Sequence, residues 1–440
     1  MAGSRKQILQ LDGVRAVAFV AVLLSHAGYP GYLFWSSVDL FFVLSGFLIT
    51  GILLSQKKDE NFFKIFYTRR FLRILPAFYA VLFISLFVLQ RVSKDQTISV
   101  ALFLANIYMP FADLSKVTDS YWALGPYWSL ALEEQFYLLW PLLVYTLKPR
   151  QLLWLCISLI IAAPICRGLS FWFLYVPHLA NYQAIWMFPF NRMDLLASGA
   201  IIAICQHLKL FEVRKMARFG MLLAAASAVL VVLGIAIIPS FRLSGHTFLF
   251  STLGFSLVCA MMGGFIMYLA NETGGPIVKV LSLKPLAYAG TITYTMYLAH
   301  VTVIVLLQRA GMQHSWRVPL VAWAGSFVLA SLSWHLFELP IKQLKDRMVW
   351  TKGGSGSKPA RSWMWPTAVA AAMVAGMVIA VLPRLSSTPQ IIPQAVAEAP
   401  QAVADLPQAD ALEMLGDQVP PQFYRDLDFY RWLASQEPHV

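Results

Sequence analysis

Along most of the chain, apolar residues run in stretches close to the ~20 residues that a helix needs to cross the hydrocarbon core of a bilayer. Eleven such windows follow one another. They are Ile8 to Gly28, Leu33 to Ser55, Ile74 to Gln90, Leu124 to Leu147, Leu152 to Val176, Ile185 to His207, Phe219 to Ile238, Thr247 to Leu269, Leu286 to Gln308, Val318 to Phe337 and Trp363 to Leu382. The piece Val100 to Pro110 is too short to span and is expected to be re-entrant or superficial, since counting it would invert the side of everything after it. The pattern predicts an all-α, multi-pass transmembrane helical bundle, ten helices in one core and an eleventh set apart by the Gly/Ser-rich stretch Thr351 to Lys358. The expected organisation is a membrane domain at 1–345, a flexible cytoplasmic linker at 346–362, the eleventh transmembrane helix at 363–383 and a tail at 384–440. That tail is acidic and interrupted by Pro389, Pro393, Pro400 and Pro407, so it is expected to be mostly disordered until an amphipathic stretch at Phe423 to Ala434.

Composition agrees. Hydrophobic residues make up 58% of the chain and charged ones 13%, with a mean hydropathy of +0.63, against roughly 25% charged residues in a soluble domain. A net charge of +12 would suit nucleic acid if the basic residues formed a patch, but they do not. They collect at Lys57 to Arg73, Lys148 to Arg150, Lys209 to Arg218, Lys279 to Lys284 and Lys342 to Arg361, and with eleven spans all five stretches fall on the side of the N-terminus. By the positive-inside rule that side is cytoplasmic, the tail lies across the membrane, and no nucleic-acid partner is expected. Arg309 and Arg317 are the exceptions on the far side. The N-terminus starts like a signal peptide, but Arg15 interrupts its apolar run and the membrane signal continues, which points to a retained anchor. The four cysteines stand singly in apolar runs, without the spacing of a metal site or a disulfide framework, and no metal is expected.

Candidate chemistry lies in the polar residues that interrupt these windows, because an unpartnered charge within a bilayer costs several kcal/mol. Arg15 and His26 are eleven positions apart on the first helix, on one stripe and about 16 Å apart along the axis. Asp39 follows across a short turn. Arg69, Arg70 and Arg73 lie at the cytoplasmic edge before the third span; if the segment continues that helix, two guanidinium groups share a face and suit phosphate, or else they anchor lipid headgroups. Glu133 and Glu134 sit near the start of the fourth window with Tyr137 one turn on, and as neighbours the two carboxylates point about 100° apart. Arg192 and Asp194 open the sixth window and could serve either a ligand or their own neighbours' charges, while Tyr297 and His300 share a face of the ninth.

Together the Arg15-x10-His26 pair, the run Asp39-Leu-Phe-Phe-Val-Leu-Ser45-Gly46-Phe47, the Arg70-x-x-Arg73-x-x-Pro76 segment and Trp128-Ser-Leu-x-x-Glu133-Glu134-x-Phe-Tyr137 resemble the acyltransferase-3 family of bacterial integral-membrane O-acyltransferases over about Ile8 to Pro340. Many relatives continue after an eleventh helix into a hydrolase-like SGNH domain; the short tail here implies none.

The resemblance implies an enzyme of the bacterial inner membrane that carries an acyl group, acetyl foremost, from cytosolic acyl-CoA to a hydroxyl of a cell-surface glycan or lipid-linked saccharide. On this reading acetyl-CoA is the co-substrate, Arg69, Arg70 and Arg73 hold its phosphates, and Arg15 lines the way inward or stabilises an oxyanion. His26 is the general base and Asp39 the carboxylate that orients it. Glu133, Glu134, Tyr137, Arg192, Asp194 and His300 bind the acceptor or tune the base. Direct transfer and an acyl-enzyme route both stay open. The rival readings are acylation of a small hydrophobic molecule such as a macrolide, and a transporter or flippase in which the same charges form a substrate path.

Overall fold

The computed structural model describes residues 8–29, 32–90, 92–112, 119–176, 182–238, 241, 247–312 and 316–341. The expected linker, eleventh helix and tail lie outside the described residues. Among those described, all regular structure is helical, as the sequence predicts. The long helices are α1 (Leu9–His26), α2 (Ser37–Gln56), α3 (Phe62–Leu89), α4 (Tyr127–Thr146), α5 (Pro149–Ser170), α6 (Pro189–Leu208), α7 (Val213–Ile237), α8 (Phe255–Asn271), α9 (Lys284–Arg309) and α10 (Arg317–Ser333). Wider turns at Phe171–Tyr175, Phe250–Gly254 and Trp334–Glu338 extend α5, α8 and α10. Nine helical spans among the described residues are long and apolar enough to cross a membrane, which makes this a multi-pass membrane protein. The remaining long helix, α4, has 20 residues but carries Glu133 and Glu134.

Two boundaries differ from the expected windows for one reason. Helix α3 begins at Phe62 rather than Ile74, and α7 at Val213 rather than Phe219. In each case the helix continues through a basic segment that breaks the apolar run without breaking the backbone hydrogen bonds. Arg69, Arg70 and Arg73 therefore stand on a helix. The segment around Val100 folds as the short helices Lys94–Ala101 and Ala105–Tyr108, neither of spanning length.

Helices α2 and α9 form the centre, with 72% of each apolar window buried, whereas α7 and α10 bury 22% and 17% of theirs. The outer helices present large apolar side chains outward, such as Leu222 and Val232 on α7, where acyl chains replace water as solvent. Pairing is closest for α2 with α6, α1 with α9, α5 with α6, α7 with α8 and α9 with α10. Glycine sets the α2–α6 approach. A Cβ on Gly46 would come within 2.0 Å of the Leu196 carbonyl oxygen, and one on Gly199 within 2.0 Å of that of Val43. Small residues of this kind allow helices in lipid to gain packing that a larger side chain would hold apart.

Candidate active site

The polar groups gather at two levels along α1. At the level of Arg15, one turn of α3 carries Arg70 and Arg73 on a common face. The Arg70 guanidinium lies over the Tyr137 ring at 3.6 Å from its centroid, a cation–π seat that fixes its plane. Arg73 has Arg70, Arg15 and Glu338 as its charged neighbours. Arg15 donates to Asp12 at 2.8 Å. Beside this cluster Glu133 accepts from Ser45 Oγ at 3.0 Å and from Tyr137 Oη at 2.8 Å, and the two hydroxyls also bond each other. Glu134 is likewise half-buried, with Arg70 and Glu133 as its electrostatic neighbours. Arg69 is half-buried, about 100° round the helix from Arg70.

At the other level His26 closes α1. Its Nδ1 lies 2.9 Å from the Val22 carbonyl oxygen and 3.2 Å from Nε2 of His300. The His300 Nδ1 is 2.6 Å from the Tyr297 carbonyl oxygen. These partners determine both tautomers. A carbonyl oxygen only accepts, so His300 carries its proton on Nδ1 and offers a lone pair at Nε2. His26 Nδ1 faces that lone pair and a second carbonyl, so it too is the protonated nitrogen. The remaining nitrogen, His26 Nε2, then holds the basic lone pair. One turn away along α9, Tyr297 Oη pairs with Ser129 Oγ at 2.7 Å.

His26 lines a cavity of about 360 Å³. Its walls include Trp35, Trp122, Trp128 and Trp186, with Ser25 and Gln308 among the polar groups. None of Arg15, Arg70 and Arg73 belongs to its lining. The lining of this cavity therefore stops short of the arginine cluster.

Asp39 is not beside His26. It faces α6 and pairs with Arg192 at 3.2 Å, both side chains buried. Helix phase decides this: the turn between α1 and α2 brings Asp39 near in sequence, but α2 packs on α6 and turns the carboxylate towards the cation there. Asp194 pairs with Arg167 of α5 at 2.8 Å, also fully buried. Arg167 donates further to the Asn191 carbonyl and to Ser256 Oγ, each within hydrogen-bond distance. Arg192 and Asp194 thus each have a buried partner of opposite charge. Arg167 escaped the sequence reading, although a lone arginine within an apolar window demands an inward acid. Trp35, Trp122 and Trp186 escaped it too, since they and Trp128 converge from separate elements.

Comparison with known proteins found a matching family and several relatives. A family model described as an acyltransferase domain matches residues 8–384. A peptidoglycan O-acetyltransferase of Listeria monocytogenes is 29% identical over 397 residues, covering 82% of this chain and 61% of that protein. An O-acetyltransferase of Staphylococcus aureus is 27% identical over 363 residues, 76% of this chain and 57% of its own length. The chain thus spans about three fifths of the length of these curated relatives. No solved structure matches.

Proposed function

The chain belongs to the acyltransferase-3 family, and on that premise we propose that it moves an acyl group, acetyl foremost, from acyl-CoA to a hydroxyl of a cell-wall glycan or its lipid-linked precursor. The names of its relatives support the acetyl group and the glycan. The donor is proposed to bind from the cytoplasm at Arg70 and Arg73, with Arg15 beside them. Planar guanidinium groups suit its phosphates. The acceptor is proposed to arrive from across the inner membrane, with the N-terminus of the protein cytoplasmic and its tail extracytoplasmic.

The single observation that carries this reading is His26. Its Nδ1–H is anchored to Val22 and His300, and its ring opens into the cavity. An alcohol is a weak nucleophile until a base takes its proton, and such help contributes about 10² to 10⁴-fold. Nε2 of His26 takes the hydroxyl proton as the oxygen attacks the thioester carbonyl. The carbon–sulfur bond then breaks, and the imidazolium returns the proton to the departing thiolate, leaving an ester and free CoA. His300 fills the orienting role that the sequence suggested for Asp39. Arg15 lies about 16 Å along the helix from His26, so it is assigned to the donor rather than to the same carbonyl, and the extended pantetheine arm covers that distance.

Purified protein in detergent or nanodiscs, given labelled acetyl-CoA and a glycan acceptor, should release CoA and label the glycan in step. A transporter would leave acetyl-CoA intact whatever acceptor is offered, and that result would sink the proposal.

A further inference from the structure

We infer that the cavity at His26 is a subsite for one uncharged sugar residue, held by aromatic stacking and by amides rather than by ion pairs. The inference rests on the acyl-transfer reading for which molecule arrives, but its chemistry comes from the walls.

Four tryptophans line the cavity. Trp35 and Trp186 meet edge to face at 5.0 Å and 85°, and Trp186 and Trp128 do so at 5.0 Å and 79°. This wall is braced from behind. Arg192 Nε donates to the Trp186 carbonyl at 3.0 Å, and its guanidinium sits 5.2 Å from the Trp35 ring centre. The Asp39–Arg192 pair is thus spent on holding the wall and does not reach the cavity lining. Trp122 differs from the others in being 45% exposed. It offers the cavity an open ring against which the apolar C–H face of a pyranose can lie. Burial of an aromatic face against such a surface gives large apolar contact with little conformational loss.

The polar groups of the described lining are hydroxyls, the amides of Gln183 and Gln308 and the His26 ring, and no lysine, arginine, aspartate or glutamate is among the described lining residues. Amides and hydroxyls both donate and accept, which matches sugar hydroxyls and acetamido groups. A carboxylate, phosphate or ammonium brought here would lose water without gaining an opposite charge, and that desolvation is costly. The walls therefore select against charge on the residue that enters. At about 360 Å³ the space is at the small end of ligand pockets, which restricts entry to the reacting residue and leaves the rest of a polymer outside.

The test measures binding and turnover separately. The full chain, carrying His26→Ala so that no transfer occurs, is titrated in detergent by tryptophan fluorescence with three probes. These are the tetramer of N-acetylglucosamine, the same chain with its primary alcohols oxidised to carboxylates, and the same chain stripped of its acetyl groups to leave ammonium. The neutral tetramer should bind at least tenfold more tightly than either charged form. Trp122→Ala should weaken it at least tenfold and Trp122→Phe by less, with both variants monodisperse on size exclusion. Equal or tighter binding of a charged probe overturns the subsite, and so does neutral binding that ignores Trp122. If the wild-type protein still labels a glycan from acetyl-CoA while these binding results fail, the acyl-transfer reading stands and only the subsite falls.

Discussion

His300 Nε2 and His26 Nδ1 lie 3.2 Å apart, so a ring from α9 accepts the proton that holds the ring of α1 in one tautomer. A positioning partner of this kind acts on turnover rather than on affinity. His300→Leu should lower kcat about 10- to 100-fold, the range typical of groups that orient a functional histidine, and leave the KM for acetyl-CoA within about twofold. His300→Gln keeps an accepting oxygen near Nε2 and should recover much of the loss. His26→Ala should remove transfer while donor binding persists. Equal damage from the leucine and glutamine variants would show that His300 only packs.

The arginines on α3 predict the opposite signature. Arg73→Ala should raise the acetyl-CoA concentration needed for half-maximal turnover about ten- to hundredfold, the value of a charge-assisted hydrogen bond, with acceptor saturation unchanged. Because the attraction between these guanidinium groups and the donor's phosphates is between opposite charges, the wild-type donor KM should also rise with ionic strength. Initial rates at varied donor and acceptor check both, and a defect confined to acceptor saturation would remove these residues from the donor site.

Much of this arrangement was legible beforehand because lipid imposes a simple code. Windows of spanning length gave the helices, and polar residues inside them gave Arg15, His26, Glu133 and His300. Where the reading went astray, a local cue outweighed a long-range one. The basic run at Arg69 to Arg73 falls outside the third window because charge ends an apolar window, whereas helix hydrogen bonding passes through it. Asp39 was matched to His26 by nearness in sequence, but helix phase gave it to Arg192. Arg167 disappeared inside an average taken over Leu152 to Val176. No spacing rule unites Trp35, Trp122, Trp128 and Trp186, which meet only once their separate elements have packed.

Arg167 and Asp194 supply a stability prediction. The pair is fully buried at 2.8 Å, so removing one charge strands the other. Arg167→Met should cost about 3–5 kcal/mol, read as a lower midpoint of thermal unfolding in detergent. The double change Arg167→Met, Asp194→Leu removes both charges and should regain most of the loss. If the double variant is as unstable as the sum of the singles, the two residues do not act as a pair.

The glycines of α2 and α6 make a sharper demand, because they test the packing that brings Asp39 to Arg192. A methyl group on Gly46 would meet the Leu196 carbonyl oxygen at 2.0 Å, a backbone atom that cannot swing aside. Gly46→Ala must therefore push α2 from α6, and overpacking of this kind costs about 1–3 kcal/mol or more. Gly325 on α10 is the control, since a methyl there would touch only the Val303 side chain at 3.4 Å. Freed of a clash, Gly325→Ala should be neutral or stabilise by about 0.4–1 kcal/mol, through a more restricted unfolded chain. Unfolding midpoints of the two variants should then fall on opposite sides of, or at least well apart about, the wild-type value. If Gly46→Ala matched Gly325→Ala, the close α2–α6 contact would be refuted, and with it the geometry that braces the tryptophan wall.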